Sequence, residues 1–129
     1  MITRFELCDL LVSNFAEMQV VVDKRKAEGY FPYDTEIVHG FYSCKFAPFA
    51  VKQLEAGNIP MLKKIFDFIE YLHVNGDEDV ENVVWVSVCE PIYNKPLYDE
   101  KRDLIMSLSG ERTKKCFIEM EDWWRENAN

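Results

Sequence analysis

One stripe of residues constrains this chain more than anything else in it. In "MLKKIFDFIEYLHV", Leu62, Ile65, Phe66, Ile69, Leu72 and His73 recur at spacings of three and four. That period belongs to one face of an α-helix, and an apolar face of that length must be buried against other elements. Asn58 is placed to cap the helix, and Pro60 sits in the first turn, where its missing N–H costs nothing. Asn75 and Gly76 close it.

The same reading extends to both sides. Thr3 with Glu6 forms a capping-box pattern, followed by Phe5, Leu7, Cys8, Leu11, Val12, Phe15, Met18 and Val22 at helical spacing. This predicts a helix over about 4–28, stopped by Gly29. "YFPYDT" is an aromatic loop. Asp34 or Thr35 can cap a second helix running to about 56, which Pro48 should kink or divide. Residues 79–93 fit two periods. "VVWVSV" is β-branched and reads well as a strand. Val80, Val83, Val84, Ser87, Val88 and Ile92 also fit helical spacing behind an acidic first turn, and we take the helix. Pro91 then costs it a hydrogen bond near its end. Two further helices cover about 97–108 and 111–126, with Cys116, Phe117, Met120 and Trp124 on one face of the last.

The expected architecture is therefore all-α. One domain over 1–129 holds five to six helices in antiparallel hairpins, forming either a short α-solenoid-like stack or an irregular bundle. With 129 residues and 48% hydrophobic content, the chain can bury a core without disulfides or metals as staples.

Charge excludes several functions. Against 23 acidic residues stand 15 basic ones, for a net charge of −8 and no basic block. Binding to nucleic acid or to an anionic membrane surface is disfavoured, whereas a basic protein partner would be attracted. No apolar run approaches the ~18 residues of a membrane span. The segment "MITRFELCDLLVSNF" lacks a signal-peptide pattern, because Glu6 and Asp9 interrupt it. Cys8, Cys44, Cys89 and Cys116 are widely spaced without C-x-x-C, unlike a zinc motif. They read as buried thiols in a reducing cytoplasm.

Four acids crowd the start of the fourth predicted helix: Asp77, Glu78, Asp79 and Glu81. As a calcium loop they fail, since Asn82 replaces the glycine at position six and Val88 the glutamate at position twelve. Acids in a first turn favour the helix dipole, but four exceed what capping needs, so they also offer an acidic surface. In "EMEDWWREN", Trp123 and Trp124 point about 100° apart, which leaves at least one partly exposed beside acids, a composition common in binding hot spots. "YNKPLYDE" repeats the mixture with Tyr93, Tyr98, Asp99 and Glu100. His73 reads as a core histidine. Nothing local pairs it or His39 with a cysteine as a catalytic dyad, and no phosphate loop, G-x-S-x-G or H-E-x-x-H occurs. No catalytic, cofactor or metal residue is assigned.

Residues 50–92, "AVKQLEAGNIPMLKKIFDFIEYLHVNGDEDVENVVWVSVCEPI", resemble a bacterial family of small acidic helical proteins of unknown function. The resemblance rests on Leu54, Gly57, Asn58, "LKKIFDFIEYL", Gly76, Asp77, Val80, Asn82 and Val83, and covers about a third of the chain. The family's genes look similar to those of immunity proteins that accompany bacterial toxins, including contact-dependent growth inhibition systems. The resemblance implies a cytoplasmic immunity or antitoxin-like protein that occludes a basic toxin domain, with no chemistry of its own. The residues expected to meet the partner are Asp77, Glu78, Asp79, Glu81, Tyr93, Tyr98, Asp99, Glu100, Trp123 and Trp124. A helical scaffold or regulatory adaptor is the alternative, and an enzyme of unrecognised type the third reading.

Overall fold

The computed structural model describes residues 1–30 and 33–128. Phe31 and Pro32 of the aromatic loop, and Asn129, lie outside the described residues. The stripe does what its spacing demands. Helix α4, Ile59–Asn75, buries Leu62, Ile65, Phe66, Phe68, Ile69, Leu72 and His73. The Asn58 side chain accepts a hydrogen bond from the Met61 N–H at its start. Before it, Gly57 adopts the left-handed φ of 65° that ends the preceding helix.

Seven helices make up the described residues: α1 (4–14), α2 (16–27), α3 (35–56), α4, α5 (78–93), α6 (Pro96–Leu108) and α7 (Glu111–Asn127). The all-α expectation holds, and no strand occurs among the described residues, where the one β-bridge joins Ile2 to Gly76. The helix count is corrected from five or six to seven, because the first predicted helix is two. Phe15 breaks it with an extended backbone (φ −133°, ψ 93°). The Asn14 side chain donates to the Leu10 carbonyl, a local bond that competes with continuing the helix. The break turns Phe15 inward against Phe46, Phe49 and Phe68, at ring separations of 5.2, 6.1 and 5.3 Å.

Two prolines shape the middle. Pro48 and Pro91 have no N–H to donate, and their rings crowd the carbonyl four residues back. Neither helix breaks. Each widens instead into a π-helical stretch before its proline, Tyr42–Phe46 in α3 and Val83–Cys89 in α5. The two stretches pack on each other, and His39 Nδ1 hydrogen-bonds Ser87 Oγ between them. The strand alternative for "VVWVSV" is thereby settled in favour of helix.

Helix α4 is the hub. It touches the end of α3 and also α5, α6 and α7. In a solenoid each repeat meets only its neighbours, so the arrangement is an irregular bundle around α4. One continuous core runs from Ile2 to Met120.

A long-range cap locks α7 to the hub. Gly110 precedes α7 and brings no side chain to cap it. Glu70 of α4 supplies one: its carboxylate accepts from the N–H groups of Arg112 and Thr113, at 3.2 and 2.9 Å, and from the Thr113 hydroxyl at 2.8 Å. A Cβ on Gly110 would collide with the Glu70 side chain, so the close approach explains the glycine.

Candidate functional site

The acidic start of α5 is mostly structural. Asp77 caps the helix, accepting from the Val80 N–H at 3.0 Å. Its own N–H donates to the Ile2 carbonyl, which pins the N-terminal segment beside the cap. Asp79 pairs with Arg4 at 3.2 Å. Glu81 Oε1 lies 3.0 Å from His73 Nδ1. Glu78 is exposed and has no partner among the described residues. Three of the four acids therefore have a task inside the fold, and one is free.

The tryptophans form a more open feature. Met120, Trp123 and Trp124 stand at i, i+3 and i+4 on α7, and Glu90 and Tyr93 at i and i+3 on the end of α5. Together with Trp85, Asn94 and Glu119 they line a groove of about 470 Å³. Trp123 and Trp124 are 57% and 50% exposed, and their rings meet edge to face at 5.2 Å. Trp85 is shared with a second concavity of about 520 Å³, whose wall includes Asp77, Glu78 and Glu81. The acidic helix start and the tryptophan pair, separate in sequence, thus flank one indole.

Tyr98, Asp99 and Glu100 do not join this groove. Tyr98 is a correction. It is 2% exposed and stacks on Phe117 at 5.5 Å, so it offers no surface to a partner. Its hydroxyl donates to Glu121 at 2.7 Å, and Arg102 grips the same carboxylate with two nitrogens, at 2.6 and 2.9 Å. The Arg102 hydrogen bonds, with help from Tyr98, hold the Glu121 carboxyl below the usual range despite partial burial. Asp99 and Glu100 are exposed on α6, outside the groove.

A third feature lies in the core. His73 of α4, Cys89 of α5 and Cys116 of α7 are 2%, 0% and 1% exposed. A ring nitrogen of His73 and the two sulfurs lie within 4.8 Å of one another. His73 Nδ1 is engaged by Glu81, while Nε2 is buried with no hydrogen-bond partner. The Cys89 thiol, hydrogen-bonded to Cys116, pulls the Cys116 thiol down to about 7. Burial opposes this and His73 assists it. The same bond and burial push Cys89 well up. Sequence spacing could not reveal the cluster, because its members come from three helices. The available signal was weaker: His73 and Cys116 each occupy the core-facing stripe of their helix. The remaining cysteines divide. Cys8 is buried, but Cys44 is exposed, which corrects its expected burial.

The fold and these features define a class: an all-α acidic protein with a surface aromatic groove, in which no helix of the described residues is long and apolar enough to cross a membrane. Within that class the chain belongs to the family described as a domain of unknown function, DUF7674, whose model matches residues 8–125. The match includes the groove residues Trp85, Trp123 and Trp124. No curated protein and no solved structure matches the chain.

Proposed function

We propose that the protein works by binding, as a cytoplasmic immunity or antitoxin-like protein that covers the basic surface of a toxin domain, with no catalysis of its own. The observation that carries this is the groove. It combines the indoles of Trp85, Trp123 and Trp124 with the Tyr93 ring and the carboxylates of Glu90 and Glu119. Aromatic faces attract a guanidinium or ammonium group, and carboxylates pair with it. A net charge of −8 adds long-range attraction for a basic partner. An adaptor that takes a basic peptide would use the same groove, and a short peptide binding as tightly as a folded partner would favour it.

The test is binding to the purified product of the adjacent gene. Wild type and the variants Trp123→Ala, Trp124→Ala and Glu119→Gln are compared by calorimetry and stopped-flow kinetics. Each tryptophan variant should weaken the complex at least about tenfold, the loss expected of a hot-spot aromatic. The on-rate should fall as salt rises. A tight complex that all three variants leave unchanged would remove the groove from the interface and the reading with it.

A further inference from the structure

The buried triad has a chemistry that neither the fold nor the groove uses. A histidine in a core normally satisfies both ring nitrogens. Here Nδ1 is held by Glu81, and Nε2 is enclosed with no oxygen or nitrogen partner, the Cys116 thiol being the one group that interacts with the ring on its other side. With Nδ1–H donating its hydrogen bond to the Glu81 carboxylate, the neutral ring keeps its lone pair on Nε2, the tautomer of a metal-ligating histidine. Two sulfurs share the same small space, and a ring nitrogen of His73 and both sulfurs lie within 4.8 Å of one another. One buried cysteine is an ordinary small hydrophobe. Two from different helices, converging with a buried imidazole, are a donor set.

We propose that His73 Nε2, Cys89 Sγ and Cys116 Sγ form a binding site for a thiophilic closed-shell cation, Zn²⁺ in the first instance, with Glu81 as the group that orients the histidine.

Nitrogen and sulfur are the ligands this ion selects. Bond lengths of about 2.0–2.3 Å around a tetrahedral ion place donors about 3.5–3.8 Å apart. The triad needs to close by at most about 1 Å to reach that geometry. Binding takes both sulfurs as thiolates and releases their protons. Cys89 stands at the end of the π-helical stretch Val83–Cys89, and such distortions occur often at functional sites. Glu81 touches His73 on one side and lines the acidic concavity on the other.

The experiment uses the whole chain, reduced and stripped with a chelator, then titrated with Co²⁺ and afterwards with Zn²⁺. A thiolate-to-cobalt absorption should saturate at one equivalent, bleach on Zn²⁺ addition, and accompany a rise in Tm. Cys89→Ala and Cys116→Ala should abolish the band, while Cys44→Ala keeps it. Glu81→Gln should weaken binding about 10- to 100-fold, as loss of an orienting partner does. The wild-type titration needs no variant to fold. Absence of the thiolate band in wild type would overturn the site. So would a band that persists in both Cys89→Ala and Cys116→Ala. A Cys89–Cys116 disulfide formed in air, in a protein that takes up no Co²⁺ after reduction, would do the same.

Discussion

Among the acids at the start of α5, two glutamates one turn apart have different roles. Glu78 is solvated, and Glu78→Gln should shift stability by no more than about 0.5 kcal/mol, as surface changes do. Glu81 is joined to a buried imidazole. In chelator-treated protein, Glu81→Ala should cost about 1–3 kcal/mol, because it strands His73 Nδ1 in the core. Urea melts of the two variants check this, and equal stabilities would mean that the Glu81 contact contributes nothing. The difference is invisible in "DEDVE", where only spacing is readable. Which acid meets a histidine eight residues upstream depends on the turn at Gly76, where a Cβ would collide with Val80. Tyr98 teaches the same lesson in reverse. It sits among polar residues in "NKPLYDE" and looks like surface. It is core because Phe117 and Glu121 of α7 come to meet it. Tyr98→Phe should therefore lower stability by about 1 kcal/mol, the value of one hydrogen bond, without changing affinity for a partner.

Among the helices, legibility follows the range of the interactions. The α4 stripe, the Asn58 cap and the stop at Asn75 were all readable, because each is set by residues within one or two turns. The break at Phe15 was not. The apolar spacing continues through it, and the aromatic cluster that rewards the break comes from residues 46, 49 and 68. The prolines were half readable: disruption was foreseeable, but widening in place of breaking requires a neighbour, and here each π-helical stretch packs on the other. The Glu70 cap is the clearest long-range case. Glu70→Ala should destabilise by about 1–2 kcal/mol, as removal of a good N-cap does. Gly110→Ala should also destabilise, because its Cβ meets Glu70. The two effects share one contact, so the double variant should lose less than the sum of the singles. Additive losses in denaturant melts would separate the glycine from the cap.

Taken whole, the molecule was legible as an acidic helical bundle, because composition and periodicity are summed over the chain. The groove and the triad were only partly so, since each depends on how α5 and α7 cross, and crossing is decided by packing rather than by either sequence alone. The charge of the molecule leads to a final prediction. Acidification has two opposed effects. From neutral pH toward the sequence pI of about 4.8, protonation relieves the self-repulsion of a chain at −8, so stability should not fall. Lower still, the carboxylates that the fold uses lose their charge. Glu70 and Glu121 both have their pKa lowered in the fold. For Glu70 burial raises it, and the hydrogen bonds from Thr113 and Arg112 outweigh that; for Glu121 the Arg102 bonds dominate. A group with a depressed folded pKa stabilises the fold above its unfolded pKa and loses that contribution as pH drops through the folded value. The loss should fall below about pH 4.5, the ordinary carboxylate range. Glu121→Gln removes the charge at every pH. It should cost about 1 kcal/mol at neutral pH, where Arg102 and Tyr98 both grip the carboxylate. The gap to wild type should then close at a second, acidic pH below the depressed folded value, where the wild-type group is neutral as well. Urea denaturation of both proteins at the two pH values measures it, and a gap that stays constant would assign Glu121 a packing role in place of an electrostatic one.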